Sequence, residues 1–257
     1  MKSMGFIGGG RVTKILLNGF KKAGMTLNNV VVYDTNSDTL KELKKEFPEI
    51  ETVSDDNRLV ASQDMAFLAV HPPAMASILE EIKSYLNPDS VVISLAPKPK
   101  IEQISSLLGG FTRIVRMIPN APSIINEGYN PITFAPEINA SLKKEILDLF
   151  NVLGVTPEVD ENKLEAYAVL TAMGPTYFWF QFNELLHLGR SFGLEDTEIK
   201  DSLWNMISGA ALAFFQSELN PEEVIDLVPV KPMADEEENI KTAYHARLGA
   251  MFQQLKE

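Results

Sequence analysis

The chain has 257 residues, 45% of them hydrophobic, with 35 acidic and 23 basic side chains for a formal net charge of −12, and it contains no cysteine. The length accommodates one large domain or two smaller ones, and the negative charge disfavours a nucleic-acid partner, whose phosphates it would repel. The lack of cysteine excludes disulfides and thiol chemistry and fits a reducing cytoplasm; Met1-Lys2-Ser3 runs straight into an apolar segment with no secretory leader, and no apolar stretch suits a membrane span.

Up to residue 160 the pattern alternates. Short apolar runs at residues 4–8, 29–33, 65–70, 90–95, 112–117 and 131–134 read as strands, several of them apolar throughout, as strands buried on both faces are. Helical periodicity fills the intervals at 11–23, 38–47, 74–85 and 101–108, followed by a helix over 140–153 and a short edge strand at 157–159. Such alternation predicts a Rossmann-type, doubly wound parallel sheet. Beyond residue 160 only helices are expected, over 163–170, 177–192, 195–219, 221–227 and 235–254, with a break at Gly174-Pro175, where proline cannot continue a helix interior. The expected plan is a dinucleotide-binding domain at 1–160 and an all-helical domain at 161–257. Phe178, Trp179, Phe180, Phe182, Trp204, Phe214 and Phe215 are more aromatic mass than a thin bundle needs, so the helical domain is expected to bury it in a homodimer. The acidic run at 235–238 suits a helix N-terminus and has no metal-ligand spacing; no metal is expected.

The richest stretch is residues 4–13. An apolar run leads into Gly8-x-Gly10-x-x-Thr13, a helix follows with Val12, Ile15, Leu16 and Phe20 on one face, and a second apolar run ends in Asp34. Strand, glycine turn, helix, strand and acid in this order form the dinucleotide-binding fingerprint. Gly8 permits the tight turn, Gly10 lets backbone approach a pyrophosphate, the helix start offers unpaired N–H groups to the anion, and Asp34 can accept from a ribose diol. In an open parallel sheet the ligand lies beyond the carboxyl ends of the strands, which gathers the loops at 8–12, 34–36, 71–73, 96–97 and 118–122.

These loops resemble one family, the pyrroline-5-carboxylate reductases. The resemblance is carried by Gly5-Phe-Ile-Gly8-Gly-Gly10, by Asp64-Met-Ala-Phe-Leu-Ala-Val70 followed by Pro72, by Arg116-Met-Ile-Pro119-Asn120-Ala-Pro122, by Gly128 and by Gly174-Pro175-Thr176-Tyr177, over nearly the whole chain. It implies a two-domain reductase with a dimer-forming helical half. Such an enzyme transfers hydride from a reduced nicotinamide cofactor to the C=N bond of a cyclic imine, giving proline. The implied cofactor contacts are Gly8, Gly9, Gly10, Arg11, Val12, Asp34, Thr35, Asn36, Asn57, Ala69, Val70, His71, Pro72 and Ala96, with Asn57 at the adenosine half unless it is only a helix cap. The implied substrate contacts are Asn120, Met173, Gly174, Thr176 and Lys231.

The chain also departs from the family's pattern. His71 stands where lysine is usual, Pro73 where glutamine is, and Thr171-Ala172-Met173 where the family has Ser-Gly-Ser. The hydroxyl-rich segment that helps hold the family's substrate reads Asp226-Leu-Val228-Pro229-Val-Lys231-Pro232-Met-Ala234 here. Lys231 could supply anion binding by charge or be a solvent-exposed loop lysine. Reduction of a protonated imine needs no strong general acid; Thr171 is the best surviving hydroxyl, Tyr177 a second donor candidate that also reads as a helix-packing residue. His71 is expected to contact the cofactor rather than donate a proton, and Arg116 to clamp nearby carbonyls.

Asp34 favours a free ribose diol, hence NAD(H) over NADP(H), and Thr35, Asn36 and Ser37 follow it without an arginine; Arg11 is the one cation of the glycine loop that could meet a phosphate. The partners expected are a small-molecule substrate and a second copy of the chain, not nucleic acid or a membrane. Two other readings remain: a related reductase of another small carbonyl or imine, deazaflavin-linked enzymes included, and a nucleotide-sensing dimer that binds the cofactor without turnover.

Overall fold

The computed structural model describes residues 2–256. In chain order the elements are β1 (Met4–Ile7), α1 (Arg11–Lys22), β2 (Val30–Tyr33), α2 (Ser37–Glu46), β3 (Glu51–Val53), α3 (Arg58–Ala61), β4 (Met65–Leu68), α4 (Pro72–Ile82), β5 (Val91–Ser94), α5 (Ile101–Leu107), β6 (Ile114–Met117), β7 (Gly128–Tyr129), β8 (Ile132–Phe134), α6 (Ala140–Asn151), β9 (Gly154–Val155), α7 (Leu164–Tyr167), α8 (Pro175–Ser191), α9 (Asp196–Gln216), α10 (Pro221–Asp226) and α11 (Glu237–Lys256). By contacts the chain forms two compact units, one running to Met173 and including the last residues from Leu255, the other spanning Gly174–Gln254.

The first unit is built on a seven-stranded sheet in the order β3-β2-β1-β4-β5-β6-β8. The strands from β3 to β6 are parallel and in register, with Met4 beside both Val30 and Met65. β1, β4, β5 and β6 are buried along their whole length, which accounts for their largely apolar sequence; Ser94 of β5 and Arg116 of β6 are the polar exceptions. Phe6 stacks on Phe67 at 4.3 Å between ring centroids, and Phe150 of α6 meets Phe67 edge-on at 6.1 Å, tying one helical layer to the middle of the sheet.

The doubly wound Rossmann-type fold is as the alternation predicts, with one correction: β8 runs antiparallel to β6. The segment from Ile118 to Pro131 that joins these strands is taken up by a 3₁₀ turn over Ala121–Ile125 and by β7, and holds no crossover helix of the kind that joins parallel strands. Three strands went unread. β3 is three residues at the sheet edge with no buried position, and β7 and β9 make a two-stranded parallel pair through Gly128 and Gly154. The edge strand expected at 157–159 is reduced to a single bridge between Ile132 and Glu158.

The boundary also differs from that expected at residue 160, because residues 161–173 belong to the first unit. Arg116 is the reason. Its side chain has no exposed surface, donates from Nη1 to Glu161 Oε1 at 2.7 Å and from Nη2 to the Pro97 carbonyl at 2.6 Å, and lies 3.5 Å from Glu165 Oε1. Glu161 Oε1 also accepts the N–H of Ile101, the first residue of α5, at 2.7 Å. The guanidinium is therefore the expected clamp, but on carboxylates as well as a carbonyl. Beside it Ile118, Leu164 and Ala168 form a small second core against which Leu255 packs.

In the second unit α8 starts with Pro175 in its first turn, matching the break read at Gly174-Pro175. Gly189 of α8 admits Ile199 of α9, whose side chain would lie within about 3 Å of any added Cβ. Tyr177 and Tyr244 meet edge-to-face at 5.9 Å, which joins α8 to α11. Ile199 is the one large apolar side chain of this unit that is buried among the described residues. Phe180, Phe192, Trp204, Phe215 and Val230 are each between 67% and 80% exposed.

Replacing Arg116 by Met is expected to leave Glu165, whose side chain is 5% exposed, in the interior without its cation. The cost should be about 3–5 kcal/mol of unfolding free energy, measured as a lowered urea midpoint at unchanged slope; a shift under about 1 kcal/mol, the range of surface pairs, would show that the node is not structural.

Candidate functional site

The glycine loop lies between the carboxyl ends of β1, β2 and β4. Gly8 has φ +105°, and a Cβ there would stand 2.4 Å from the Ala69 carbonyl oxygen, so both backbone conformation and close approach demand glycine. The Gly8 N–H donates to the Tyr33 carbonyl at 2.8 Å, and the Ala69 N–H to that of Ile7 at 2.8 Å. A Cβ on Gly10 would meet nothing within 4 Å, so backbone faces open space at the helix start. Thr13, fully buried, donates its hydroxyl to the Gly8 carbonyl and closes the loop from the helix side.

Asp34 is bound into this loop. Its Oδ2 accepts the N–H of Gly9 at 2.8 Å and its Oδ1 that of Asn36 at 2.8 Å. Each oxygen keeps another lone pair, so the carboxylate can still receive a diol. α1 begins at Arg11 with no side-chain cap and no acidic residue in its first turn, while Lys21 and Lys22 sit in its last. Uncapped N–H groups behind a glycine loop form a ready anion cradle, so the residues present fit a pyrophosphate. Arg11 is exposed beside it and Val12 half-buried.

The remaining expected cofactor contacts fall into three groups. Ala69, Val70, His71 and Pro72 follow β4, with His71 exposed as the residue before α4 and its carbonyl accepting the Ala74 N–H. Ala96 is buried after β5. Thr35 is exposed, but Asn36 caps α2, its Oδ1 accepting the N–H groups of Asp38 at 2.9 Å and Thr39 at 3.2 Å. Asn57 is 8% exposed and does not cap α3; its Nδ2 donates to Glu81 Oε2 of α4 at 2.7 Å.

Residues expected at the substrate end divide between the two units. In the first, residues 168–172 form a π-helical turn, with the Met173 N–H reaching the Ala168 carbonyl at 3.1 Å; such turns are frequent at functional sites. Thr171 lies in it. The Thr171 hydroxyl donates to the Tyr167 carbonyl at 2.7 Å, and the Thr171 carbonyl accepts Asn120 Nδ2 at 2.6 Å. Asn120 is buried, and its N–H donates to Asn130 Oδ1 at 2.9 Å. Structure therefore brings Asn120, Thr171 and Met173 together around one turn. In the second unit Gly174 is buried, Thr176 is exposed in the first turn of α8, and Lys231 lies in an exposed stretch before α11. Burial, and then the neighbouring Tyr244, raise the Tyr177 hydroxyl above the ordinary tyrosine range. This is the packing role read for it.

Sequence reasoning missed the acids around Tyr33. Its hydroxyl is pushed above the ordinary range by burial and then by Glu81, Asp34, Asp55 and Asp56. These acids come from three separate stretches of chain and share no local motif; only the parallel pairing of β2 with β3, and the packing of α4, make them neighbours.

Comparison with known proteins adds to this geometry. The family described as NADP oxidoreductase coenzyme F420-dependent matches residues 3–98. The pyrroline-5-carboxylate reductase of Methanosarcina acetivorans is 28% identical over 257 residues, 98% of this chain and 93% of the relative. That of Staphylococcus haemolyticus is 27% identical over 221 residues, 85% and 81% of the two chains. Among solved structures, Plasmodium falciparum pyrroline carboxylate reductase with NADP bound matches with a TM-score of 0.83 over 99% of this chain and 97% of that one, at 23% identity. A pyrroline-5-carboxylate reductase from Coxiella burnetii matches at 0.71 over 99% and 94%, at 26% identity. The chain is thus similar over nearly its whole length to pyrroline-5-carboxylate reductases. No helix among the described residues is long and apolar enough to cross a membrane.

Gly8→Ala is expected to lower stability by about 2 kcal/mol or more, from the left-handed backbone and the overlap with the Ala69 carbonyl, and to weaken nucleotide binding. Thermal unfolding with and without NADH measures both. Wild-type stability with wild-type binding would mean that the loop does not hold the conformation described.

Proposed function

We propose that this protein is a nicotinamide-dependent reductase of the C=N bond of a small cyclic imine, 1-pyrroline-5-carboxylate or a close relative, and that it works as a homodimer. The observation that carries the proposal is the uncapped start of α1 behind Gly8–Gly10, joined to Asp34, in a chain similar over nearly its whole length to pyrroline-5-carboxylate reductases. A bound reduced nicotinamide would supply the hydride; the protein's part is binding, orientation and electrostatics. Gly8, Gly9, Gly10 and the first-turn N–H groups at Arg11 and Val12 would hold the pyrophosphate, with Asp34 on the adenosine ribose, a pairing that favours NADH. Ala69, Val70, His71, Pro72 and Ala96 would border the nicotinamide half.

Thr171 takes a role different from that of a proton donor. Its hydrogen is already directed to the Tyr167 carbonyl, so its oxygen presents lone pairs. A protonated imine carries an N–H, and an acceptor fixed by an intrahelical bond suits it better than an acid. Asn120, bonded to the Thr171 carbonyl, would hold this turn in place. Met173, standing where the family has a second serine, makes the surroundings more apolar. Together with the altered stretch around Lys231, this favours a substrate that differs from the family's at its carboxylate-binding end.

Purified protein with NADH or NADPH and 1-pyrroline-5-carboxylate, then a panel of cyclic imines, ketones and keto acids, tests the function by loss of the cofactor's near-ultraviolet absorbance. Thr171→Val should lower kcat about 10–100-fold with KM little changed, as for loss of one hydrogen bond to a charged group. Tight cofactor binding with no turnover of any compound would leave a nucleotide sensor instead of a reductase.

The dimer is supported by the helical unit's exposed aromatic surface, with Trp204 71% and Phe215 80% exposed. Surfaces of that kind are normally covered. Sedimentation should give twice the chain mass, and Trp204→Asp or Phe215→Asp should release monomer at micromolar concentration; a wild-type monomer would remove the assembly from the proposal.

A further inference from the structure

Granting the nucleotide site just proposed, we infer that Asp56 sets its cofactor preference, by holding Arg58 in an internal ion pair in the loop beside Asp34. The site then accepts a dinucleotide with a free 2′-hydroxyl and rejects one with a 2′-phosphate.

The geometry begins with the sheet. β2 and β3 are parallel with Tyr33 opposite Val53, and the Asp34 N–H donates to the Val53 carbonyl at 3.3 Å. The loop after β3, residues 54–57, therefore leaves the sheet beside the loop after β2, where Asp34 stands to receive the ribose. Arg58 follows at the start of α3 and is the cation suited to a phosphate there, since a guanidinium fork matches phosphate oxygens two at a time. Asp56 already takes one edge of that fork. Nε donates to Asp56 Oδ1 at 2.7 Å and Nη2 to Asp56 Oδ2 at 2.6 Å, while the Arg58 N–H also donates to Oδ1 at 2.9 Å. The guanidinium lies 5.5 Å from the centre of the Tyr85 ring, which holds its other face.

Negative charge surrounds the same place. Burial first, and then Glu81, Asp34, Asp55 and Asp56, raise the titration point of the Tyr33 hydroxyl. Glu81 is fixed by the buried amide of Asn57. The lysines of α2 do not offset this charge. Lys41 pairs with Asp38 at 2.8 Å, Lys44 donates to the Ile50 carbonyl, and Lys45 sits in the last turn, about 12 Å of helix rise from Ser37. A dianionic 2′-phosphate would enter beside carboxylates with the Arg58 guanidinium held by Asp56, whereas a neutral diol would find acceptors.

Dissociation constants for NADH and NADPH, read from the fluorescence of the reduced nicotinamide, test this on the intact protein. Wild type should bind NADH about tenfold or more tighter than NADPH. Asp56→Ala and the near-isosteric Asp56→Asn should each tighten NADPH about tenfold or more, the range of one charge-assisted hydrogen bond to phosphate, while NADH changes little. In Asp56→Ala/Arg58→Ala that gain should disappear. A wild type that binds NADPH as well as NADH, an Asp56 variant without the gain, or a double variant that keeps it would each overturn the inference and leave the nucleotide site standing. No saturable binding of either nucleotide to wild type would remove both.

Discussion

The hydrogen bond from the Gly9 N–H to the Asp34 carboxylate is the contact on which the nucleotide half is organised. It joins the turn after β1 to the end of β2, and it requires the turn to pass so close to β4 that Gly8 meets the Ala69 carbonyl. Three strand ends are thereby held at one point. Everything else about the site follows from that convergence. The helix start is aimed outward because the turn ahead of it has no freedom, and the Thr13 hydroxyl bonded to the Gly8 carbonyl keeps it so. An anion cradle made of backbone is only as good as its rigidity, since the donors cannot be re-aimed by side-chain rotation.

Arg116 does for the far side of the sheet what Asp34 does for the near side. It is wholly buried, and its partners come from two other segments: the Pro97 carbonyl after β5, and Glu161 and Glu165 after β9. Through Glu161 it also reaches the first N–H of α5. A buried ion pair contributes little net stability compared with an apolar replacement, but it enforces geometry, because a misplaced charge in the interior is costly. Here the geometry enforced is the course of residues 161–173, and hence the placement of the π-turn that carries Thr171. The connection from Arg116 to Asn120 along the chain, and from Asn120 to the Thr171 carbonyl, keeps that turn beside the loop after β6.

The helical unit obeys a different logic. Its helices meet through a few close contacts, Gly189 with Ile199 and Tyr177 with Tyr244, and bury almost no other large apolar side chain. A bundle stabilised so little by its own interior needs apolar surface covered from outside. The aromatic excess read from the sequence and the exposure seen in the structure are the same property seen at two levels.

The sequence alone determined the strands β1, β2, β4, β5 and β6 and the helices α1, α2, α4 and α5, because strands covered on both faces are largely apolar and that pattern is visible in single runs. It determined the glycine loop and Asp34 for the same kind of reason: a positive φ and a close backbone approach leave glycine no substitute, and the acid follows within one strand–helix–strand unit. What it could not determine were features set by neighbours distant in the chain. Three-residue β3 has no buried position to betray it, and β8 reverses direction after a connection that holds no crossover helix. The boundary at Met173 depends on which carboxylates reach Arg116. Asn36 became a helix cap and the Thr171 hydroxyl turned to its own backbone because unpaired N–H and C=O groups lay nearest to them. The carboxylates gathered at Tyr33 come from β2, β3 and α4; only the folded sheet makes neighbours of residues that have no spacing in common, since charge acts through space and not along the chain.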